Sequence, residues 1–418
     1  MRLAWAMARV VATAAVAGAL VLAAGCGRAP GSKVTITVWE QMDPPERAQF
    51  EKHIAEFMKR DTNVVIVHQN YDTETLRTQF QTAANGGSGP EIVFGPSDQV
   101  GPFSVMGIIQ PLEQVEGLGP AYFAGFEAAS LDTLDGHLYY APDQMGNHLV
   151  LIYNRRLAPR PPGTTDELIA MARRATVPGR GGAPGTYGLV LNMVEPFWLA
   201  PFLAGYGGWV MDARNQPTLD SPGMVQSLRF LSDLRTVHRV IPQECNYQVM
   251  ETLFKENKAA FLVNGPWSWQ GYRAAGVDFG IAPLPRVSST GNWCAPMTAS
   301  KGYSINRNCP KGSLPAVVAL LKYLTGPGVQ AENARALLTL PSATAAYQDS
   351  FVKSDEFLRQ SRAAYSLGRR MPVVPEMRAI WDAMRPQMER VLNGQTSPDS
   401  AAKNMQAMAL KQIRLMKE

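Results

Sequence analysis

Histidine and cysteine are scarce in this chain, at five and four residues in 418. His53, His68, His137, His148 and His238 show no HExxH or other ligand spacing, and no two cysteines form a CxxC pair, so nothing points to a metal centre. Charge is thin as well: charged residues make up 18% and the formal net charge is +5, with no run of Lys or Arg. A balance this mild gives no footing for a nucleic-acid partner. The glycine-rich stretch 178–185 lacks the GxxxxGK[ST] order and reads as a connector, not a phosphate cradle. Internal repeats at solenoid periods and long low-complexity tracts are absent too. After the first 25 residues no apolar stretch approaches about 18 residues, the length a membrane span needs.

The one long apolar run lies at the N-terminus. Arg2 and Arg9 give a positive start, residues 10–24 are uncharged and rich in Ala, Val and Leu, and small residues follow. That order is a secretory signal. It ends in Leu22-Ala23-Ala24-Gly25-Cys26, which resembles a bacterial lipobox whose Cys26 becomes the acylated first residue, although Ala23 stands where the pattern prefers Leu. Residues 1–25 are therefore expected as a lipoprotein signal peptide and 26–32 as a lipidated tether. Their removal takes away Arg2 and Arg9 and leaves a chain of globular composition, long enough for two or three domains. Cys245, Cys294 and Cys309 remain; an oxidising exterior permits one disulfide with one thiol left over, and all three pairings stay open.

From Lys33 onward short β-like runs alternate with helical ones, the signature of a largely parallel α/β layer. Val34-Thr35-Ile36-Thr37-Val38-Trp39 has period two. Asp43, Pro44 and Glu46 then make a box-like helix start, with Phe50, Ile54 and Phe57 as its apolar face. A strand at 64–67, a helix at 73–85 stopped by Gly86-Gly87, and a strand at 91–94 complete the start of one open lobe. A second begins near residue 147, with a buried strand at 149–153 and a helix opened by Thr164 and Glu167. Amphipathic helical segments follow at 316–324, 331–338, 377–392 and 402–416.

Several chain-distant points pair aromatic faces with fixed polar groups, which is what a neutral sugar requires. Glu195-Pro196-Phe197-Trp198 sets a carboxylate beside two aromatics. Trp381 and Arg385, four residues apart, share one helical face. Trp267 and Trp269 follow the turn Asn264-Gly265-Pro266. Each has a plainer alternative: one of two tryptophans at i and i+2 goes to the core, a Trp/Arg pair makes a surface cation–π contact, and Asp43 and Glu195 cap helices. Tyr247 has no signal beyond being an aromatic in a polar stretch.

Together these residues resemble the maltose-binding-protein-like family of extracellular solute-binding lipoproteins that feed ABC sugar importers. The resemblance is carried by Gly89-Pro90-Glu91-Ile92-Val93-Phe94, Leu151-Ile152-Tyr153-Asn154, Asn192-Met193-Val194-Glu195-Pro196-Phe197, Asn264-Gly265-Pro266-Trp267-Ser268-Trp269 and Met371-Pro372-Val373-Val374-Pro375-Glu376-Met377 leading to Trp381 and Arg385. It implies an α/β, two-lobed periplasmic-binding-protein fold of type II, with discontinuous lobes: residues 33–146 plus 301–325, and 147–300 plus 326–418. Crossings are expected near 145–147, 298–301 and 325–326. It also implies ligand contacts at Asp43, Asp98, Gln99, Glu195, Phe197, Tyr247, Trp267, Trp381 and Arg385, with no cofactor, no metal and no catalytic residue. The implied partners are a small carbohydrate and the permease subunits of an ABC importer. The chain is expected to be a monomer, exported and held only by the Cys26 lipid at the outer face of the cytoplasmic membrane, on the cell surface or in a periplasm.

The departures concern the ligand. Where maltose-binding proteins carry a cleft Trp this chain has Gly95, and Gln99, Pro44 and roughly Asn147 stand for an Arg, a Lys and a Glu. These losses imply a roomier, less charged first lobe, which weighs against long maltodextrins and leaves trehalose, maltose, another disaccharide or a glycerophosphodiester open. The rival from another class is a lipid-anchored glycoside hydrolase, with Glu195 and either Asp98 or Asp43 flanking one bond.

Overall fold

The computed structural model describes residues 33–179 and 185–417. The signal segment, Cys26, the tether and residues 180–184 of the connector lie outside the described residues. The strands in chain order are β1 (Val34–Glu40), β2 (Val64–Asn70), β3 (Ile92–Pro96), β4 (Ala141–Met145), β5 (Val150–Asn154), β6 (Tyr187–Val190), β7 (Ala259–Asn264), β8 (Phe279–Ala282), β9 (Met297–Thr298), β10 (Ser300–Ile305), β11 (Leu340–Pro341) and β12 (Arg369–Arg370). They form a six-stranded sheet, β11-β4-β10-β3-β1-β2, a four-stranded sheet, β6-β7-β5-β8, and the two-stranded pair β12-β9. Each large sheet carries helices, which gives two α/β lobes.

The period-two pattern of β1 does what it predicts. Ile36 and Val38 are fully buried against Phe50, Ile54 and Phe57 of the helix Pro44–Arg60, and β1 pairs in parallel with β2 from Val34↔Val64 to Glu40↔Asn70. In β3 the alternation splits two packing layers: Ile92 and Phe94 join that core, while Val93 faces Leu76, Phe80 and Phe103 on the other side of the sheet. The helix Thr73–Asn85 starts as the sequence predicts, with the Asp72 side chain accepting from Thr75 N–H at 3.0 Å. A single larger core fills the second lobe around β5 and β7, and takes in Trp269, which is fully buried. No helix among the described residues is long and apolar enough to cross a membrane.

The chain leaves the first sheet after β4 and returns through β9 and β10. At this point Gly146 N–H and Asn147 N–H both donate to Ala299 O, at 3.1 and 3.0 Å, so outgoing and returning segments run side by side. Gly146 has φ +95°, a conformation L side chains rarely adopt, and its short turn lets the chain reverse beside the buried His148. Burial holds the His148 imidazole down to about 4, so it is neutral at physiological pH. Near the third expected crossing, Thr325 ends the helix Leu314–Leu324 and Gly326 opens the helix Pro327–Leu337. The Gly-Pro step is thus a helix–helix corner. The strand beyond it, β11, still pairs with β4, and Gln330 accepts from the backbone N–H of Ser342 and Ala343 at 2.7 Å each. Further on, the helix Glu356–Ser366 packs beside β8 of the second sheet.

Cys245, Cys294 and Cys309 are all free thiols, each buried, so none of the three permitted disulfides is formed. Cys245 and Cys294 sit in the second-lobe core and Cys309 in the first, and burial pushes the Cys245 and Cys309 thiols up to about 12.

Candidate ligand cleft between the lobes

The lobes touch along a cleft with two chemically different ends. At the first, three expected residues join in a chain that crosses the lobes: Trp267 Nε1 donates to Tyr247 Oη at 3.0 Å, and Tyr247 Oη donates to Asp43 Oδ2 at 3.2 Å. Local sequence places each of them. Tyr247 is the first residue of the helix Tyr247–Lys255, held by the Asn246 side chain accepting from Val249 N–H at 3.0 Å. Trp267 lies in the turn after β7 and folds back over Gly265, where an added Cβ would come within 2.0 Å of the ring. Asp43 precedes the helix Pro44–Arg60 and is both its N-terminal residue and a cleft residue. Burial, and next the neighbouring Glu46, push the Asp43 carboxyl up to about 6.

Trp198 supports this end from behind. It is buried, donates through Nε1 to Val263 O at 2.7 Å, and sets its ring edge-on to Phe197, Tyr247 and Trp267 with centroids 5.6, 6.1 and 6.4 Å away. Phe197 is half-buried beside it. Opposite, Lys301 of the first lobe lies 5.5 Å from the centroid of the Trp267 ring and pairs with Glu46 at 3.0 and 3.2 Å. Between Trp267 and Trp269, the first is the cleft ring and the second the core ring.

The other end is built from ion pairs. Asp98, on the turn after β3, accepts both of its bonds from Arg77 Nη2, at 2.8 and 2.7 Å. Glu195 accepts from Arg385 Nη2 at 3.1 Å on each oxygen, and Glu74 of the first lobe accepts from Arg378 of the second at 2.6 Å. Arg385 also lies 3.8 Å from Glu74, so the pairs form one network across the lobes. Burial raises the Glu195 carboxyl above its ordinary range, with Arg385 pulling the other way. Trp381 is 5% exposed and lines a narrow void with Arg77, Asp98 and Gln99. Beside it lies an open pocket of about 460 Å³ that Arg77, Gln81, Pro102, Arg378 and Asp382 help to line.

The structure thus puts Asp43, Tyr247, Trp267 and Phe197 at one end, and Asp98, Gln99, Glu195, Trp381 and Arg385 at the other. It corrects the expectation of a roomier, less charged first lobe. The Gln99 amide lies over Gly95, so a Cβ there would stand 2.3 Å from Nε2, and the space of the missing ring is occupied. Cations come from elsewhere: Arg77 reaches Asp98, and Lys301 places a buried ammonium near Asp43 and Glu46. Sequence reasoning missed Arg77, Glu46 and Lys301 as cleft residues because their partners lie 21 and 255 residues away. No local spacing signals such pairs.

The bacterial extracellular solute-binding protein family matches residues 52–360 of this sequence. The chain belongs to that family. Its likenesses agree with the two-lobed geometry and with the resemblance to maltose-binding proteins. A maltose/maltodextrin-binding domain from Bdellovibrio bacteriovorus, solved with maltotriose, is 42% identical with a TM-score of 0.88, over 91% of this chain and all of that one. The GacH receptor of Streptomyces glaucescens, solved unliganded and with acarbose, is 26% identical with a TM-score of 0.81, over 92% of this chain and 99% of its own. A maltotriose-binding protein of Pyrococcus abyssi is 25% identical over 373 residues, 88% of this chain and 79% of its own. As a member of a solute-binding family this solute-binding protein is a binder, not an enzyme. The hydrolase alternative also meets a chemical obstacle, since Arg77 neutralises Asp98 and Arg385 holds Glu195.

Proposed function

We propose that this protein is the substrate-capturing component of an ABC importer for short malto-oligosaccharides, with maltotriose as the reference ligand. The observation that carries the reading is the Trp267–Tyr247–Asp43 hydrogen-bond chain, in which an aromatic platform of the second lobe meets a carboxylate of the first. A sugar ring stacks its C–H face on an indole and offers its hydroxyls to carboxylates, so one ligand engages both lobes. Closure then gains free energy from contacts that exist only when the lobes meet. The importer would recognise the closed pair. The chain is further read as an exported monomer, tethered to the outer face of the cytoplasmic membrane by a lipid on Cys26. A disaccharide is a narrower version of the same reading.

A glycerophosphodiester fits less well. The three arginines of the charged end, Arg77, Arg378 and Arg385, are each committed to a carboxylate of the chain. Thermal unfolding with maltose, maltotriose, maltotetraose, trehalose and glycerophosphocholine tests the reading, because a ligand that binds only the native state raises the melting temperature. Saturable stabilisation by the malto-oligosaccharides is expected; a response to glycerophosphocholine alone would overturn it.

A further inference from the structure

Large apolar side chains exposed one at a time are ordinary on a protein surface. Here four of them meet in one place. Val105 and Met106, at the end of the helix Val100–Val105, and Leu415 and Met416, near the end of the helix Pro398–Lys417, all line the open pocket of about 460 Å³ beside the Trp381 end. Val105 and Leu415 are 64% and 60% exposed, and the two methionines 44% each. Pro102, Pro375 and Ala379 extend the same apolar wall.

Local sequence turns these residues outward. In the long helix Met405, Ala409 and Ile413 recur every four residues and fill the second-lobe core, so Leu415 and Met416 fall off the buried stripe. In the short helix Val100 and Phe103 take the buried positions in the first lobe and leave Val105 outside. The pocket thus has one wall from each lobe. Both cations of its lining are engaged, Arg77 with Asp98 and Arg378 with Glu74 and Asp382, so neither is free to hold an anion.

The pocket adjoins the proposed sugar site. Arg77, Gln81, Pro102 and Arg378 line both it and the narrow void at Trp381, so a group carried by a sugar unit on that indole has the pocket as its neighbour. The volume suits an aryl ring or a short alkyl chain. A further glucose unit would bring its hydroxyls to a wall of Val, Met, Leu and Pro that offers them few partners.

We propose that this pocket receives an apolar group, an aryl ring or a short alkyl chain, carried by the terminal sugar unit beside Trp381. The proposal rests on the carbohydrate reading above and extends its ligand class to apolar-substituted malto-oligosaccharides.

The test is calorimetric titration of the full chain, carried on phosphatidylcholine nanodiscs, with maltotriose, maltotetraose and two substituted trisaccharides. In p-nitrophenyl maltotrioside the ring is on the reducing unit; in benzylidene-maltotriose it is on the non-reducing unit. The probe whose ring lies beside Trp381 should bind about tenfold tighter than maltotriose, because burial of the ring outweighs the cost of ordering it. Val105→Gln and Leu415→Gln, made together, should remove that gain and leave maltotriose affinity within about twofold of wild type. Both positions are exposed, so the melting temperature should stay within about 2 °C of wild type. A gain for neither substituted probe, or no gain that the double variant removes, would overturn the pocket while leaving the malto-oligosaccharide reading intact. A gain for maltotetraose alone would assign the pocket to a further glucose unit and overturn the apolar ligand. A wild-type chain that binds no malto-oligosaccharide would sink that reading, and the pocket's role with it.

Discussion

The two ends of the cleft reach the same result, a polar surface held against an aromatic ring, by different means. At the Trp267 end the second lobe supplies a cluster of edge-on rings that one lobe can assemble by itself, with Trp198 behind, and the first lobe adds Asp43 and Lys301. At the Trp381 end almost every contact is an ion pair, and several of them need both lobes in place. Apolar stacking is short-ranged and survives in water, whereas partly exposed ion pairs weaken with salt and strengthen only as water leaves. On the function proposed above, the Trp267 end would be the platform on which a ligand lands, and the Trp381 end the part of the cleft that forms on closure.

The largest test of this division removes the buried cation. Lys301→Met leaves Glu46 as an unpaired buried charge and should destabilise the protein by about 3–5 kcal/mol in urea unfolding, the range for breaking a buried pair. A loss under about 1 kcal/mol would mean that the pair is solvated and the Trp267 end is open to water. Next in size, Trp267→Ala should cost about 2–3 kcal/mol of maltotriose binding in calorimetry, because it removes both the stacking face and the bond to Tyr247. An equal loss on Arg378→Gln would erase the distinction between the ends.

A third test uses acidity. Burial, then Glu46, pushes the Asp143 carboxyl up to about 7 from 3.8, with Lys301 opposing. The folded state thus holds this proton more tightly than the unfolded chain. The associated stability is fully present below about pH 4 and is lost as pH rises towards 7. Asp143→Asn should remove that slope: the difference in unfolding free energy between wild type and variant should fall by at least about 1 kcal/mol from pH 4 to pH 7. A pH-independent difference would show that Asp143 titrates as in water. The smallest effect is expected from Arg378→Gln, which breaks the bond to Glu74 in a half-exposed setting. It should weaken maltotriose binding about threefold at low salt and less at 0.5 M, since partly exposed pairs contribute about 0–1 kcal/mol and are screened.

Much of the fold was legible. The alternation in β1, the capping pair at Thr164 and Glu167, and the apolar faces of the last helices all follow from contacts within a few residues, and the structure has them where local rules put them. The i, i+2 rule for tryptophans also held, with Trp269 in the core and Trp267 outside it. The crossing that the resemblance implies at 325–326 falls at a helix–helix corner, and only the pairing of β11 with β4 shows that the chain stays on the first sheet beyond it. The disulfide question, which the sequence leaves open, is also decided by packing. An oxidising exterior permits a bond, but the three thiols are fixed in separate parts of the cores by packing that no cysteine count describes.

By itself, the sequence determined the kind of protein: an α/β chain with aromatic and carboxylate residues in the pattern of a sugar binder. Those features are local, and local chemistry is written in neighbouring residues. Tertiary structure alone decided how the cleft is charged. Gln99 fills the space over Gly95, Arg77 reaches Asp98 from another helix, and Lys301 crosses 255 positions to reach Glu46. Electrostatic partners are chosen by distance in space and by burial, and neither is a function of spacing along the chain.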